Sequence, residues 1–305
     1  MKILFMGTPQ FAVPCLEKLI DTHEVTGVVT QPDRPKGRGH KMLPPPVKQF
    51  ALEKGIPVYQ PETFKDMAFM PVLEEHNPDV IVVVAYGRIL PSYVLEYPKY
   101  GCVNVHGSLL PKYRGAAPIQ WAVINGEEKS GVCTMRMEKG LDTGGVYEVY
   151  ETPLEPYETA GHLFDRLSLA GAQLIASTLE KIDTLQATPQ NDELSSYAPM
   201  LTKELARIDW SKSAVEIVNL IHGMNPAPVA HTSLGGNPLK IYTAQIGEGK
   251  SLKPGEIGQI VKKKGLEVGC GDGSVIIRDV QPAGKKPMNI EDYLRGHEMK
   301  GYFDE

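Results

Sequence analysis

Short apolar runs alternate with amphipathic stretches through the first 200 residues of the chain. The apolar runs predict strands at 2–6, 24–29, 79–85 and a segment ending near His106, and a further apolar segment covers 131–137. Apolar positions at helical spacing predict helices at about 10–20, 116–125 and 158–181. Strands that alternate with helices favour a doubly wound α/β domain, in which ligands bind beyond the C-terminal ends of the strands.

The pattern changes after about residue 210. A Ser-capped amphipathic helix is predicted at 213–222. Glycine-rich turns then separate short β-prone runs at 239–244, 256–261, 266–270 and 274–280. These runs predict a small β domain, either a five-stranded oligonucleotide-binding barrel or a more general β module. We therefore predict a first domain over 1–188, a linker over 189–207 and a C-terminal domain over 208–305.

Composition narrows the class of protein. A chain of 305 residues has room for about two domains, and 42% hydrophobic and 23% charged residues are ordinary for a globular protein. The longest apolar run, 80–85, is far shorter than the ~20 residues that a membrane span needs. The N-terminus has no signal-peptide pattern, so we expect a cytoplasmic protein. The net charge of −5 gives no general indication of nucleic-acid binding.

Metal and nucleotide-cofactor signals are weak. The four cysteines are far apart and form no CxxC pair, which predicts buried, reduced thiols. The eight histidines form no HExxH pattern, so no metal site is predicted. The Gly7-Thr8-Pro9 turn after the first strand lacks the GxGxxG pattern of dinucleotide-binding proteins.

Two polar residues at the end of one predicted strand carry the clearest chemical signal. Asn104 and His106 lie two residues apart, so both side chains point to the same face, and Gly107 lets the chain turn there. An amide that stabilises an oxyanion and an imidazole that handles a proton together suit acyl transfer. The alternative is that both side chains are buried hydrogen-bonding groups that close the strand.

One carboxylate lies in a glycine-framed turn at 140–145. Asp142 in such a turn can approach the imidazole of His106 and fix its tautomer and orientation. An Asx turn that caps a connection between strands is the alternative.

The segment 31–46 is rich in proline, glycine and basic residues. Its composition excludes a helix or a central strand and predicts a long basic loop, either functional or merely solvated. Lys262–Lys264 form a second basic run, which is either a polyanion contact or a solvated turn.

Several runs in combination resemble the folate-dependent formyltransferases. The most specific is Asn104–Gly115, continued by Ala116–Gln120. The other matching runs are Ile3–Ala12, Gln31–Pro35, Gly37–Gly39, Leu141–Gly144, Asn225–Pro226 and Gln281–Lys286. The resemblance covers essentially the whole chain and is closest to the branch that acts on methionyl-tRNA. One departure is Ala227, where that branch leads us to expect an aromatic residue.

The resemblance implies a Rossmann-like formyltransferase domain followed by a barrel of the oligonucleotide-binding type. It implies transfer of a formyl group from 10-formyltetrahydrofolate to the amino group of methionine on initiator tRNA, by a monomer with no metal. It assigns catalysis to Asn104, His106 and Asp142. The residues implied for folate are Ser108, Leu109, Leu110 and Pro111, and those for tRNA are Arg38, Lys36, Arg34 and Lys41.

Other functions are compatible with parts of the same pattern. A formyltransferase acting on a purine precursor or an amino-sugar nucleotide would use the same three site residues. A hydrolase that releases formate from the carrier would share the folate chemistry. A non-catalytic RNA-binding protein is the alternative from a different class, and the retained Asn104, His106 and Asp142 disfavour it.

Overall fold

The computed structural model describes residues 1–36, 41–249 and 251–304, which form two compact units. The first unit comprises Met1–Ala116, Gly131–Thr152 and Phe164–Ala198. The second comprises Ala117–Ser130, Pro153–Leu163 and the chain from Pro199 to its C-terminal end. Each unit is therefore built from three separate segments of the sequence.

The strands and helices follow in chain order. The strands before residue 200 are β1 (Lys2–Gly7), β2 (Glu24–Val29), β3 (Arg34–Lys36), β4 (Lys41–Leu43), β5 (Val58–Tyr59), β6 (Val80–Val84), β7 (Cys102–His106), β8 (Arg114–Gly115), β9 (Lys129–Arg136), β10 (Val146–Pro153) and β11 (Tyr197–Ala198). The remaining strands are β12 (Ala230–Leu234), β13 (Asn237–Ile246), β14 (Ile257–Val261), β15 (Gly265–Gly269), β16 (Ser274–Pro282) and β17 (Met288–Asn289). The α-helices are α1 (Val13–Thr22), α2 (Pro46–Glu53), α3 (Met70–His76), α4 (Ser92–Leu95), α5 (Pro118–Ile124), α6 (Ala160–Glu180), α7 (Ala214–Gly223) and α8 (Ile290–Leu294).

A seven-stranded sheet with the order β10-β9-β7-β6-β1-β2-β5 forms the centre of the first unit. The pairs from β7 through β6, β1 and β2 to β5 are parallel, and β9 joins β7 antiparallel. All five residues of β6 are buried, as expected for a parallel strand covered on both faces. Because the strands are parallel, the C-terminal ends of β1, β6 and β7 lie along one edge of the sheet. The predicted doubly wound α/β fold is confirmed.

An apolar cluster covers one face of this sheet, where Ile81 and Val83 of β6 and Cys102 of β7 pack with Phe69 and Tyr86. Side chains two residues apart on a strand point to the same side, so Asn104 and His106 continue the face that begins with Cys102. The polar pair therefore lies where the apolar face runs out, at the C-terminal end of β7.

The second unit contains a six-stranded sheet in which β12, β13, β16, β15 and β14 follow one another and β17 pairs with β16. All these pairs are antiparallel. Helix α7 contributes Ile217, Val218 and Ile221 to the buried cluster beneath the sheet. The helix begins with a capping box, because Ser213 accepts a hydrogen bond from the Glu216 N–H and the Glu216 carboxylate accepts one from the Ser213 N–H. The predicted helix and C-terminal β domain are confirmed.

The described residues at the two ends of the basic segment 31–46 form regular structure, which its composition did not predict. Strands β3 and β4 pair antiparallel, with Arg34 opposite Leu43, in a two-stranded sheet of their own. Pro46 then occupies the first turn of α2, a position where its missing N–H costs nothing. Residues 37–40, which include Arg38, lie outside the described residues.

Burial governs the chemistry of the cysteines. All four are unpaired and buried, as predicted. Burial raises the pKa of Cys15, Cys102 and Cys133 to about 12 in each case.

Within the described ranges, no helix has both the length and the apolar character needed to cross a bilayer. The same residues contain no cluster of three or more His, Cys, Asp or Glu side chains arranged to hold a metal ion.

Replacing Ser213 with alanine is expected to lower the free energy of unfolding of the second unit by about 1 kcal/mol, because the first turn of α7 loses its cap. Both tryptophans, Trp121 and Trp210, belong to this unit, so urea unfolding followed by tryptophan fluorescence measures it selectively. Ser213→Thr keeps the hydroxyl and is the matched control. A Ser213→Ala variant as stable as the wild type would contradict the prediction.

The raised pKa values predict thiols that do not react in the folded chain. With a pKa of about 12, the thiolate fraction at pH 8 is on the order of 10⁻⁴, and burial also blocks access. Titration with an aromatic disulfide reagent at pH 8 should detect no fast thiol in native protein and four after denaturation. Rapid modification of any cysteine in the native chain would contradict the prediction.

Candidate active site

The site is built around the last residues of β7. Asn104 lies in register between Val83 of β6 and Met135 of β9, and His106 is opposite Cys133 of β9. Both polar side chains are buried and share one face of the strand. The middle of the sheet therefore holds the two groups rigidly, about 7 Å apart along the strand.

A backbone carbonyl sets the tautomer of His106. The ring atom Nε2 lies 2.9 Å from the carbonyl oxygen of Tyr113. A carbonyl can only accept, so Nε2 carries the proton and Nδ1 is left as the nitrogen that gains or loses one. Tyr113 adopts a left-handed backbone conformation, with φ of 61°, and its N–H donates to Ser196 Oγ over 2.9 Å. The loop after β7 thus anchors the imidazole, a role that the sequence had led us to expect from Asp142.

Asp142 faces the other ring nitrogen. Its Oδ2 lies 3.7 Å from His106 Nδ1 and accepts a hydrogen bond of 2.8 Å from the Gly115 N–H. The distance of 3.7 Å is too long for a hydrogen bond but is short enough for a strong electrostatic interaction in a site where both side chains are largely buried. The carboxylate therefore faces Nδ1 without forming the hydrogen bond that would fix the neutral tautomer.

The carboxamide of Asn104 has no hydrogen-bond partner within the described part of the chain, although the residue is only 8% exposed. Its amide atoms are not fully enclosed, so without a ligand they can meet solvent. It is therefore available to a carbonyl oxygen that arrives at the end of β7, where its N–H groups can stabilise developing negative charge.

The loop Ser108–Pro111 offers a ligand its backbone and apolar surface. The Ser108 hydroxyl is buried and donates to the Lys112 carbonyl oxygen over 2.7 Å, so it holds the loop together. The Leu109 side chain packs against Gly131, where an added Cβ would lie 2.4 Å from Leu109 Cδ2. Leu110 and Pro111 are partly exposed. These features fit the face of a flat heterocycle, and the assignment of 108–111 to folate remains a prediction.

A second loop at the same sheet edge escaped the sequence analysis. Residues 85–90 follow β6, with Ala85 and Gly87 at positive φ, and the Tyr86 carbonyl accepts hydrogen bonds from Thr8 Oγ1 and Gln31 Nε2. Ile89 is 86% exposed. The usable signal was the position of the loop directly after a central parallel strand, because ligands bind beyond such strand ends.

Three of the four residues expected to contact tRNA lie on β3 and β4. Arg34 is exposed on β3, and the backbones of Lys36 and Lys41 pair with each other. Arg38 belongs to the residues that the structure does not describe. The first unit thus carries basic residues on a two-stranded sheet separate from its central sheet.

Part of the predicted linker belongs to the active site. Strand β11 pairs in parallel with β8, with Ala198 opposite Gly115, and the Ala116 N–H donates to the Ala198 carbonyl oxygen. Gln190 and Asp192 both accept hydrogen bonds from the Arg114 guanidinium. Segment 190–198 therefore supports the loop that carries Gly115.

Comparison with known proteins agrees with this geometry. The sequence pattern described as "Formyl transferase" matches residues 1–179, and that described as "Formyl transferase, C-terminal domain" matches residues 200–298. The chain is 51% identical over 304 residues to the methionyl-tRNA formyltransferase of Alkaliphilus oremlandii and 50% identical over 304 residues to that of Clostridium novyi. Each alignment covers 98% of both chains.

Among solved structures, the chain is similar to an N-formyltransferase from Helicobacter canadensis in complex with folinic acid and dTDP-3-aminofucose. The TM-score is 0.68 at 22% identity, and the alignment covers 92% of this chain and 99% of that one. At this identity the similarity supports the fold alone. The match to the family pattern over more than half of the chain, together with the full-length relatives, shows that this chain belongs to the formyl transferase family.

Proposed function

We propose that this protein transfers the formyl group of 10-formyltetrahydrofolate to the free amino group of methionine on initiator methionyl-tRNA. The observation that carries the proposal is half identity over 98% of both chains to relatives named methionyl-tRNA formyltransferases. The first unit supplies Asn104, His106 and Asp142 in one site, which is consistent with acyl transfer to an amine. The product would serve translation initiation, so we place the reaction in the cytoplasm, and a monomer remains our expectation.

The reaction requires the attacking amine to be neutral. Its nitrogen forms a bond to the formyl carbon, and the formyl oxygen gains negative charge. In our proposal, Asn104 donates a hydrogen bond to that oxygen from its otherwise unpartnered carboxamide. The bond from the formyl carbon to the folate nitrogen then breaks, and the proton lost by the amine returns to that nitrogen, directly or through water.

His106 and Asp142 act on charge in this proposal. Because Nε2–H is held by the Tyr113 carbonyl, only Nδ1 can exchange a proton. When Nδ1 is protonated, the imidazolium stabilises the negative formyl oxygen, and the Asp142 carboxylate at 3.7 Å balances its charge. In this proposal the carboxylate is also a base that can accept a proton from the amine through water.

Formyltetrahydrofolate supplies an activated formyl group. We propose that its pterin lies at the C-terminal edge of the sheet, between the loop 108–111 and the loop 85–90. Partly exposed Leu110 and Pro111, together with exposed Ile89, offer apolar cover, and the irregular backbone of both loops offers hydrogen-bonding groups.

The basic segment 31–46 is the proposed contact for the acceptor end of tRNA. Arg34, Lys36, Arg38 and Lys41 lie within eight consecutive positions of it. Arginine binds phosphate through a planar, permanently charged fork, and lysine adds positive charge, so a segment with this composition suits an RNA backbone. Lys262–Lys264, in the turn between β14 and β15, are candidates for a further phosphate contact.

The second candidate acceptor is an amino-sugar nucleotide. The Helicobacter canadensis structure contains dTDP-3-aminofucose, and its fold covers most of this chain. Its 22% identity is far below the 50% shared with the methionyl-tRNA enzymes. The tRNA acceptor is therefore the better supported one.

The proposal is tested by incubating the purified chain with 10-formyltetrahydrofolate and charged tRNAs. Initiator methionyl-tRNA should become N-formylated, and elongator methionyl-tRNA should react much more slowly. dTDP-3-aminofucose is offered in parallel as the competing acceptor. Formylation of the sugar nucleotide alone would overturn the proposal, and equal use of both tRNAs would refute its restriction to the initiator.

Replacing Asn104 with alanine is expected to lower kcat for formylation by roughly 10²–10³-fold, because one donor to the oxyanion is lost. The melting temperature should not fall, since the carboxamide has no protein hydrogen-bond partner among the described residues. Steady-state kinetics and a thermal melt measure the two effects separately. Turnover at the wild-type rate would show that Asn104 does not stabilise the transition state.

A further inference from the structure

The turn that carries Asp142 needs support from outside itself. Asp142 has φ of 52°, a left-handed conformation that residues other than glycine adopt at a cost, and Gly140 nearby has φ of 123°. Apart from a long contact of 3.4 Å from Thr143 Oγ1 to the Lys139 carbonyl, the hydrogen bonds that hold this turn come from other segments. The position of the carboxylate therefore depends on those segments.

Gln190 provides two of these hydrogen bonds. Its Nε2 donates to the carbonyl oxygen of Asp142 over 2.8 Å and to that of Gly144 over 2.7 Å. Both amide hydrogens are thus used on the backbone of one turn, on either side of Thr143. This double contact fixes the peptide groups from which the Asp142 side chain projects.

The other end of the Gln190 carboxamide is fixed by Arg114. Oε1 accepts from Arg114 Nε over 3.1 Å and from Nη2 over 2.8 Å, and Nη2 also pairs with Asp192 over 2.7 Å. The Arg114 side chain is only 12% exposed. Arg114 directly precedes Gly115, whose N–H holds the Asp142 carboxylate. Arg114 and Gly115 therefore hold Asp142 in two ways. Arg114 fixes Gln190, which holds the Asp142 backbone, and the Gly115 N–H holds the Asp142 carboxylate directly.

We propose that Gln190 is a positioning residue for Asp142, an inference that rests on the proposed formyl transfer. Gln190 holds the turn so that the carboxylate stays 3.7 Å from His106 Nδ1. It acts through the backbone of the Asp142 turn and not on the reacting atoms. Displacement of a catalytic group by about 1 Å can cost on the order of 10²-fold in rate, so a residue of this kind affects kcat.

A carboxamide is the group that this position requires. It donates twice to the turn and accepts twice from Arg114, which exhausts its hydrogen-bonding capacity. Gln190→Glu keeps the shape and the contact with Arg114 but places a negatively charged oxygen against two carbonyl oxygens. Gln190→Met keeps the length and removes every hydrogen bond. The two variants therefore separate loss of the donors from loss of the whole network.

The first experiment compares kcat and KM for formylation of initiator methionyl-tRNA. Both Gln190 variants are expected to lower kcat by on the order of 10–100-fold, with KM for formyltetrahydrofolate within about twofold of the wild type. Gln186→Met is the matched control, since Gln186 is exposed and has no hydrogen bond within the described residues. It should retain wild-type kinetics. Melting temperatures identify folded variants, and Gln190→Glu, which keeps its partner Arg114, carries the test if Gln190→Met does not fold.

The second experiment asks whether Gln190 acts through Asp142. Asp142→Asn and the double variant Asp142→Asn/Gln190→Met are compared in single-turnover formylation. The double variant should be no slower than Asp142→Asn by more than about twofold, because the group being positioned is already lost. Fully multiplicative losses would overturn the positioning role, as would Gln190 variants with wild-type kcat. A wild-type chain that formylates no methionyl-tRNA would instead refute the proposed function.

Discussion

The hydrogen bond from the Gly115 N–H to Asp142 Oδ2 is the interaction on which the site depends. It joins the loop that follows β7 to the glycine-rich turn 140–145 across 27 residues of sequence. Gly115 can take part because its φ of 119° and its contact with Tyr197, 2.7 Å from an added Cβ, leave no room for a side chain. This bond acts on the carboxylate itself, and the Gln190 hydrogen bonds act on the backbone of the turn that carries it.

The two ring nitrogens of His106 face different groups. The Tyr113 carbonyl holds Nε2, and the Asp142 carboxylate faces Nδ1. The first contact orients the ring, and the second places a carboxylate beside Nδ1. Asn104 completes the arrangement from the same strand, with its carboxamide left free for the substrate. A rigid parallel sheet thus supplies two of the three groups, and a turn held by distant segments supplies the third.

The strand follows a local sequence pattern and the turn depends on distant contacts, which explains which site residues the sequence could predict. Alternation places Asn104 and His106 on one face without further information, and the Val/Ile-rich run 79–85 predicts a central strand. Asp142 could be predicted only from its glycine frame and the family resemblance. Gln190 could not, because its contacts with Asp142 and Arg114 span 48 and 76 residues and leave no local pattern. The polar segment 189–198 looked like a linker because its order comes from contacts with β8 and the 140–145 turn rather than from its own periodicity.

Segments of the two units alternate along the chain, which limits where the chain can be divided to exchange parts between relatives. The second unit takes Ala117–Ser130 and Pro153–Leu163 from within the N-terminal part of the chain, and Ile124 of α5 packs against its core. A gene fragment that encodes only 200–305 therefore lacks two of the three segments from which that compact unit is assembled. Exchanging residues 200–305 alone between relatives would therefore place a boundary between foreign and native sequence inside one compact unit rather than between two.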